Sequence, residues 1–379
     1  MSFLEYRLKS VPTGLAKVFY VNWALVMVVT AVAAIGWLML YSIAGGDIDV
    51  WAAPQMKRYA AGMVVMFAVA FTPIWFWRSM SGLAYAGTFA LLLVVEFFGT
   101  VGMGAQRWID LGFIRLQPSE LMKVTLVMML ATYYDWLDDK RISRPLWVLI
   151  PVLLIITPTV LVLMQPNLGT SMMLIIAGAA TMFAAGVSLW YFVGILTIIG
   201  GAVAAVFLTR GTPWQLLHDY QYIRIDTFLD PSADPLGAGY NIIQAKIALG
   251  SGGWTGKGFM QGTQSRLNFL PEKQTDFIFT TLAVEFGYVG SISLLLLYSL
   301  VLLFLMVAAM QNKDRFSALL ILGIAVNFFL YLAVNLSMVM GMAPVVGVPL
   351  PFLSYGGSAT LVLLLAFGLV QSAIIHRPR

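Results

Sequence analysis

The 379-residue chain has no cysteine and two histidines, His218 and His376. The first absence excludes disulfide frameworks and thiolate chemistry. The second leaves no His cluster with metal-ligand spacing and too few imidazoles for a serine-hydrolase relay; no organic cofactor is expected. Charge is equally scarce: 10% of residues are Asp, Glu, Lys or Arg, where soluble domains carry about 25%. Hydrophobic residues make up 60% of the chain, so it reads as an integral membrane protein. Its 11 Trp and 15 Tyr suit helix ends at headgroup level. The net charge of +5 needs no nucleic acid to explain it, because Lys and Arg accumulate on the cytoplasmic side of membrane proteins.

A span of the hydrocarbon core takes roughly 20 apolar residues. Windows of that size fall near 21–44, 59–77, 80–102, 118–134, 145–164, 168–186, 190–209, 275–308, 316–341 and 358–375, which predicts an all-α polytopic fold of about ten transmembrane helices. The first run is longer than the core of a removable signal peptide, so it is read as a retained helix. An even number of spans puts both termini on one side. The segments assigned inside carry Arg7, Lys9, Lys17, Arg78, Lys140, Arg141, Arg144, Lys313, Arg315, Arg377 and Arg379, whereas the short outside loops hold Lys57, Arg58, Arg107 and Arg115. That bias favours cytoplasmic termini. Residues 210–274, between the seventh and eighth spans, then form one large extracytoplasmic loop. Its many aromatics and the helix-like "YNIIQAKIAL" predict a folded cap rather than a disordered linker.

Several residues could carry chemistry. "GSGGWTGKG" (250–258) looks like a phosphate loop, but Ser251 stands where the first Walker glycine belongs and Gly258 follows Lys257 where Ser or Thr should hold magnesium. Either it is a turn that allows close backbone approach, or its N–H groups grip a phosphate outside a Walker fold. Acids within spans are costly and seldom kept without a role. Glu120 and Lys123, three residues apart after Pro118, share a helix face. They form a structural ion pair, or Lys123 meets a substrate phosphate while Glu120 orients it. Glu96 and Glu285 read as structural. Asp276, with Thr275 as N-cap, falls in the first turn of the eighth span at the outer interface. It compensates the helix dipole there, or it serves as a lone general base. Nine residues of continuous helix would set Asp276 and Glu285 on opposite faces, so no retaining-glycosidase pair forms.

Six stretches taken together identify a family. "GAQRWIDLG" (104–112), "QPSELMKV" (117–124), "QPNLGTS" (165–171), "FLDPSADPLGAGYNIIQAKIALGSGGWTGKG" (228–258), "GTQSRLNFLPEKQTDFIF" (262–279) and "MAPVVGVPLPFLSYGGSA" (342–359) resemble the SEDS (shape, elongation, division, sporulation) proteins. The short termini are more similar to the rod-elongation branch than to the division branch. The resemblance implies a single SEDS-type transmembrane domain over 1–379 in the bacterial inner membrane. It implies a glycosyltransferase that polymerises lipid II into β-1,4 glycan with inversion and undecaprenyl pyrophosphate as leaving group, in elongation and shape maintenance. The catalytic aspartate falls on Asp276, the important outer tryptophan on Trp108 beside Arg107, and the family's acid–lysine pair on Glu120 and Lys123. Arg107, Lys123, Arg224 and Lys257 are candidate cations for the departing pyrophosphate, as is a divalent Mg or Mn ion. The implied partners are a class B penicillin-binding transpeptidase and other elongation-complex membrane proteins, besides lipid II and the bilayer. A lipid II flippase is the competing function. The collection of charge at one outer level favours chemistry over transport. Many relatives read Gln-Pro-Asp-Leu-Gly-Thr where this chain has Asn167.

Overall fold

The computed structural model describes residues 12, 14–102, 105–110, 112, 115–212, 215, 222, 226, 240–262 and 272–377. A 3-10 helix at Gly14–Tyr20 leads into α1 (Trp23–Ile43), α2 (Ala52–Phe71) and α3 (Ile74–Phe98). A small antiparallel sheet follows, β1 (Thr100–Gly102), β2 (Ala105–Asp110) and β3 (Arg115–Leu116), in that order. The remaining helices are α4 (Pro118–Trp136), α5 (Pro145–Met164), α6 (Leu168–Ala184), α7 (Leu189–Leu208), α8 (Tyr240–Ser251), α9 (Ile278–Gln311), α10 (Arg315–Val339) and α11 (Gly357–Ile375).

The fold is that of a polytopic membrane protein. Each predicted span contains a helix, though the second, 59–77, crosses the break between α2 and α3 and the third, 80–102, runs past the end of α3 into β1; α8 is the helix expected within the 210–274 connection. Among the described residues seven helices, α1, α3, α5, α7, α9, α10 and α11, are long and apolar enough to cross a bilayer. Of the ten predicted spans, the other three are more polar or shorter: α2 carries Lys57 and Arg58, α4 carries Glu120 and Lys123, and α6 has 17 residues. The second and third spans start earlier than their hydropathy suggests. Lys57 and Arg58 dilute the start of α2, and the break falls at Thr72–Pro73, where Pro73 is the N-cap of α3, instead of at Arg78.

Local chemistry fixes several helix starts. Asn22, Asn167 and Asp314 accept from the N–H groups of Leu25, Thr170 and Ser317 as N-caps of α1, α6 and α10. Pro118 and Pro145 open α4 and α5, where the missing N–H costs no helical bond. The core runs along α4, α10 and α11. On α2 and α11, Gly62 and Gly368 permit close approach: a β-carbon on Gly62 would lie 2.4 Å from Leu364 Cδ1, and one on Gly368 2.7 Å from Met66 O. Small residues at such crossings are how helices pack within a bilayer.

The two ends of the bundle differ. At one, Arg78 pairs with Asp135 at 3.1 Å and with Asp314, while Arg315 pairs with Asp139 at 2.8 Å and donates to Ala185 O. At the other lie the β-hairpin and the segment 340–356. The second end holds Asp276.

Candidate active site

Asp276 sits in a turn, residues 272–277, immediately before α9. This corrects the expected N-cap. The N-cap of α9 is Phe277, without a side-chain bond, and Thr275 Oγ1 instead donates to Glu272 O at 3.2 Å. Asp276 therefore precedes the helix, so the opposite-face argument with Glu285 does not apply. The backbone N–H groups of Thr275 and Asp276 both donate to Glu272 O at 3.1 Å, and Glu272 itself is left-handed with φ 54°. Such a conformation persists only where the surroundings determine it.

Those surroundings come from α10 and the segment 342–356. The buried Asn335 amide donates to Asp276 O at 2.9 Å and to Val348 O at 2.8 Å. Ser354 Oγ donates to Thr275 O at 2.6 Å, and Tyr355 N to Gln274 O at 2.9 Å. Gly347, at φ 68°, passes beside the carboxylate: a β-carbon there would lie 3.7 Å from Asp276 Oδ2. Burial, then the neighbouring Glu272 carboxylate, pushes the Asp276 carboxyl up from 3.8 to about 6, against a lowering bond from Thr275. Burial also lowers the Lys273 ammonium in the same turn.

One helical turn from Asn335 on α10 lies Tyr331. Lys123 Nζ donates to Glu120 Oε1 at 2.7 Å and to the Tyr331 hydroxyl, which in turn donates to the other Glu120 oxygen. All three side chains are buried, and Asn327, one turn further along, donates to Lys123 O at 3.2 Å. Of the two readings of Glu120 and Lys123, this geometry fits the ion pair. It clamps α4 to α10 directly beneath the Asp276 turn.

Arg107 and Trp108 lie on β2, whose alternation sends them to opposite faces. Arg107 donates to Gln165 O at 2.9 Å and to Pro166 O, and burial lowers its guanidinium. It thereby pins the loop that opens α6. That helix packs on the same 342–356 segment, since a β-carbon on Gly169 would lie 2.8 Å from Val348 Cγ2. Asn167 caps α6 with its side-chain oxygen, a role Asp fills equally well.

The glycine loop has a different job from phosphate binding. Helix α9 breaks at Gly287, with φ 65° and ψ −158°. Lys257 N and Gly258 N donate to Val284 O at 2.9 Å and Glu285 O at 3.0 Å, while Tyr288 N and Val289 N donate to Gly253 O and Trp254 O. Backbone groups released by the break are thus satisfied by the loop. The glycines are required by contact, since a β-carbon on Gly252 would lie 2.0 Å from Ala283 O. Lys257 stands at the far end of the buried 278–286 segment from Asp276, about 13 Å away along the helix. Arg224 lies outside the described residues.

Sequence reasoning missed Tyr331 and Asn335. Asn327, Tyr331 and Asn335 recur every four residues in an otherwise apolar helix, which sets them on one face. That polar stripe was a usable signal.

The Cell cycle protein family model of FtsW, RodA and SpoVE matches residues 18–378. Peptidoglycan glycosyltransferase MrdB of Escherichia coli strain K12 is 40% identical over 355 residues, 93% of each chain. Among solved structures, a chain from a peptidoglycan synthase complex that coordinates polymerization and crosslinking superposes with TM-score 0.81 at 28% identity, covering 93% of this chain and 97% of that one. The crystal structure of Thermus thermophilus rod shape determining protein RodA gives TM-score 0.71 at 26% identity, covering 97% and 100%. With the family model and a 40%-identical relative both spanning nearly the whole chain, the protein belongs to the FtsW/RodA/SpoVE family, the SEDS proteins.

Proposed function

We propose that this chain, a peptidoglycan glycosyltransferase of the rod-elongation type, polymerises lipid II at the outer face of the bacterial inner membrane with Asp276 as its general base. One observation carries the reading: the carboxylate is held on a turn at the end of the bundle by Asn335, Ser354 and Tyr355, outside any helix, with its proton affinity raised toward neutrality. A base works best when its pKa lies near the working pH.

The 4-hydroxyl of an acceptor sugar gives its proton to Asp276 as its oxygen attacks the donor anomeric carbon. The bond from that carbon to undecaprenyl pyrophosphate breaks, and the electron pair leaves with the pyrophosphate. Attack from the side opposite the leaving group inverts configuration and gives the β-1,4 link. Trp108 is assigned to the saccharide, and Arg107 and Arg224 to the charge of the leaving group; Lys257, whose loop satisfies the α9 break at the other end of the segment, is not assigned to it. Glu120 and Lys123 act by positioning α10 and hence Asn335. Among the described residues no three His, Asp or Glu side chains group to hold a metal. A Mg or Mn ion held by substrate phosphate oxygens, and not by Asp276, would neutralise the leaving group.

The orientation follows the charge bias. The end with Arg78, Arg141 and Arg315 faces the cytoplasm with both termini, and the 210–274 connection faces out. The likeness to a chain of a peptidoglycan synthase complex supports a class B penicillin-binding protein as partner. The test is polymerisation of labelled lipid II by purified protein with no other polymerase present. Wild type should yield glycan, which separates polymerisation from lipid II transport, and folded Asp276→Asn and Asp276→Ala variants should yield none. Normal glycan length and rate in either variant would refute the base.

A further inference from the structure

Among the described residues, Arg58 is a cation without a counter-charge. It lies in the second turn of α2, half-buried, with its guanidinium 4.7 Å from the centre of the Tyr355 ring. Its Nη1 is buried and has no hydrogen-bond acceptor, and among the described residues no ion pair includes it. Lys123, Arg78 and Arg315 each face a carboxylate. A half-buried cation with no counter-charge among the described residues is costly.

A β-carbon on Gly357 would lie 3.5 Å from Arg58 Nε, so the guanidinium meets the first turn of α11. The N-cap there, Gly356, supplies no side-chain bond. A helix start carries partial positive charge, which disfavours a neighbouring cation. Two positive features face each other, and an anion between them would satisfy both. The place adjoins the catalytic turn, because Tyr355 N donates to Gln274 O at 2.9 Å, two residues before Asp276. Along α2 from Arg58, Ala60, Ala61, Val64 and Val65 are exposed and give an isoprenoid chain an apolar track.

We propose that Arg58, with the first turn of α11, binds the pyrophosphate of a polyprenyl-linked saccharide or of the released polyprenyl pyrophosphate. The inference rests on the lipid II reading and names a phosphate-binding residue for it. A planar guanidinium suits two phosphate oxygens at once, which an ammonium matches less well.

The experiment compares wild type, Arg58→Gln and Arg58→Lys in phosphatidylcholine nanodiscs, with and without phosphatidylglycerol. Lipid II kinetics, inhibition by undecaprenyl pyrophosphate, direct binding of undecaprenyl pyrophosphate and thermal unfolding are read together. Arg58→Gln should raise KM and the inhibition constant together by about tenfold, as expected for one lost charge-assisted contact, with kcat nearly unchanged. Arg58→Lys should fall between, and it carries the test if the Gln variant does not fold. Unchanged KM and inhibition constant, with or without a lowered unfolding temperature, overturn the proposal. So does an effect seen only when phosphatidylglycerol is present, which would mark the site as a phospholipid phosphate site. If wild type makes no glycan, the polymerase reading fails separately, and the undecaprenyl pyrophosphate titration still decides the role of Arg58.

Discussion

Asp276→Asn should stabilise the protein while abolishing its reaction. Folding moves the carboxyl from 3.8 to about 6, which disfavours the ionised form in the folded state. Below about pH 4 the group is protonated whether folded or not, and no penalty arises. Between about pH 4 and 6 the folded state holds a proton that the unfolded chain has released, so stability falls as pH rises. Above about 6 the whole penalty is present. A shift of about 2.2 units at 1.36 kcal/mol per unit is about 3 kcal/mol. Partial solvent screening and the needs of the new amide reduce the expected gain at pH 7.5 to about 1–3 kcal/mol. Linkage then makes the gain roughly halve between pH 7.5 and pH 5. Thermal or denaturant unfolding of detergent-solubilised wild type and variant at both pH values reads this directly. In parallel, wild-type kcat/KM should drop about tenfold per pH unit below about 6, because the base must be ionised. An Asn variant no more stable than wild type at pH 7.5, or a gain that does not change with pH, would refute a desolvated carboxylate at this place.

Gly256→Ala should destabilise by about 3–6 kcal/mol, read as a lowered unfolding temperature. The new β-carbon would lie 2.1 Å from Glu285 O at a φ of 79°, adding overpacking to left-handed strain and to loss of the bonds that bridge the α9 break. Lys123→Met should cost about 3–5 kcal/mol by stranding the Glu120 carboxylate, and adding Glu120→Gln should recover part of it. Unfolding measurements on the single and double variants form the check; no recovery would mean that the pair is not what holds α4 to α10.

Much of the bundle was legible because a bilayer imposes one rule, a run of about 20 apolar residues per crossing. The windows failed where charge lies inside a helix, as at Lys57 and Arg58 in α2, since hydropathy cannot separate a polar face from a helix end. The six motifs located the site's parts but not their joining. The bonds from Asn335 and Ser354 to the Asp276 turn link residues 59 and 79 apart in sequence, and no local pattern encodes them. The glycine loop was ambiguous for the same reason: its partners, the carbonyls of Val284 and Glu285, are exposed only because α9 breaks, and the break is visible in sequence as nothing more than Gly287. Thr275 misled as an N-cap because Glu272 captures its hydroxyl first.

These long-range bonds explain how an acid outside any helix can be held still at the end of the bundle. Irregular backbone is tolerated there only where protein satisfies its polar groups. The carbonyls of Gln274, Thr275 and Asp276 each receive one donor, from Tyr355, Ser354 and Asn335. At the other end of the buried 278–286 segment, Lys257 and Gly258 do the same for Val284 and Glu285, and Ser42 of α1 donates to the Glu285 carboxylate. The short helix is thus fixed at both ends by protein groups, and the stretch 288–311 is left to cross the lipid. The position of Asp276 then depends on α10 and the 342–356 segment, and motion of the lipid-crossing part of α9 is not passed directly to the carboxylate. Preorganisation of that kind is what the base role proposed for Asp276 requires, because a carboxylate free to move would lose the geometry on which proton transfer depends.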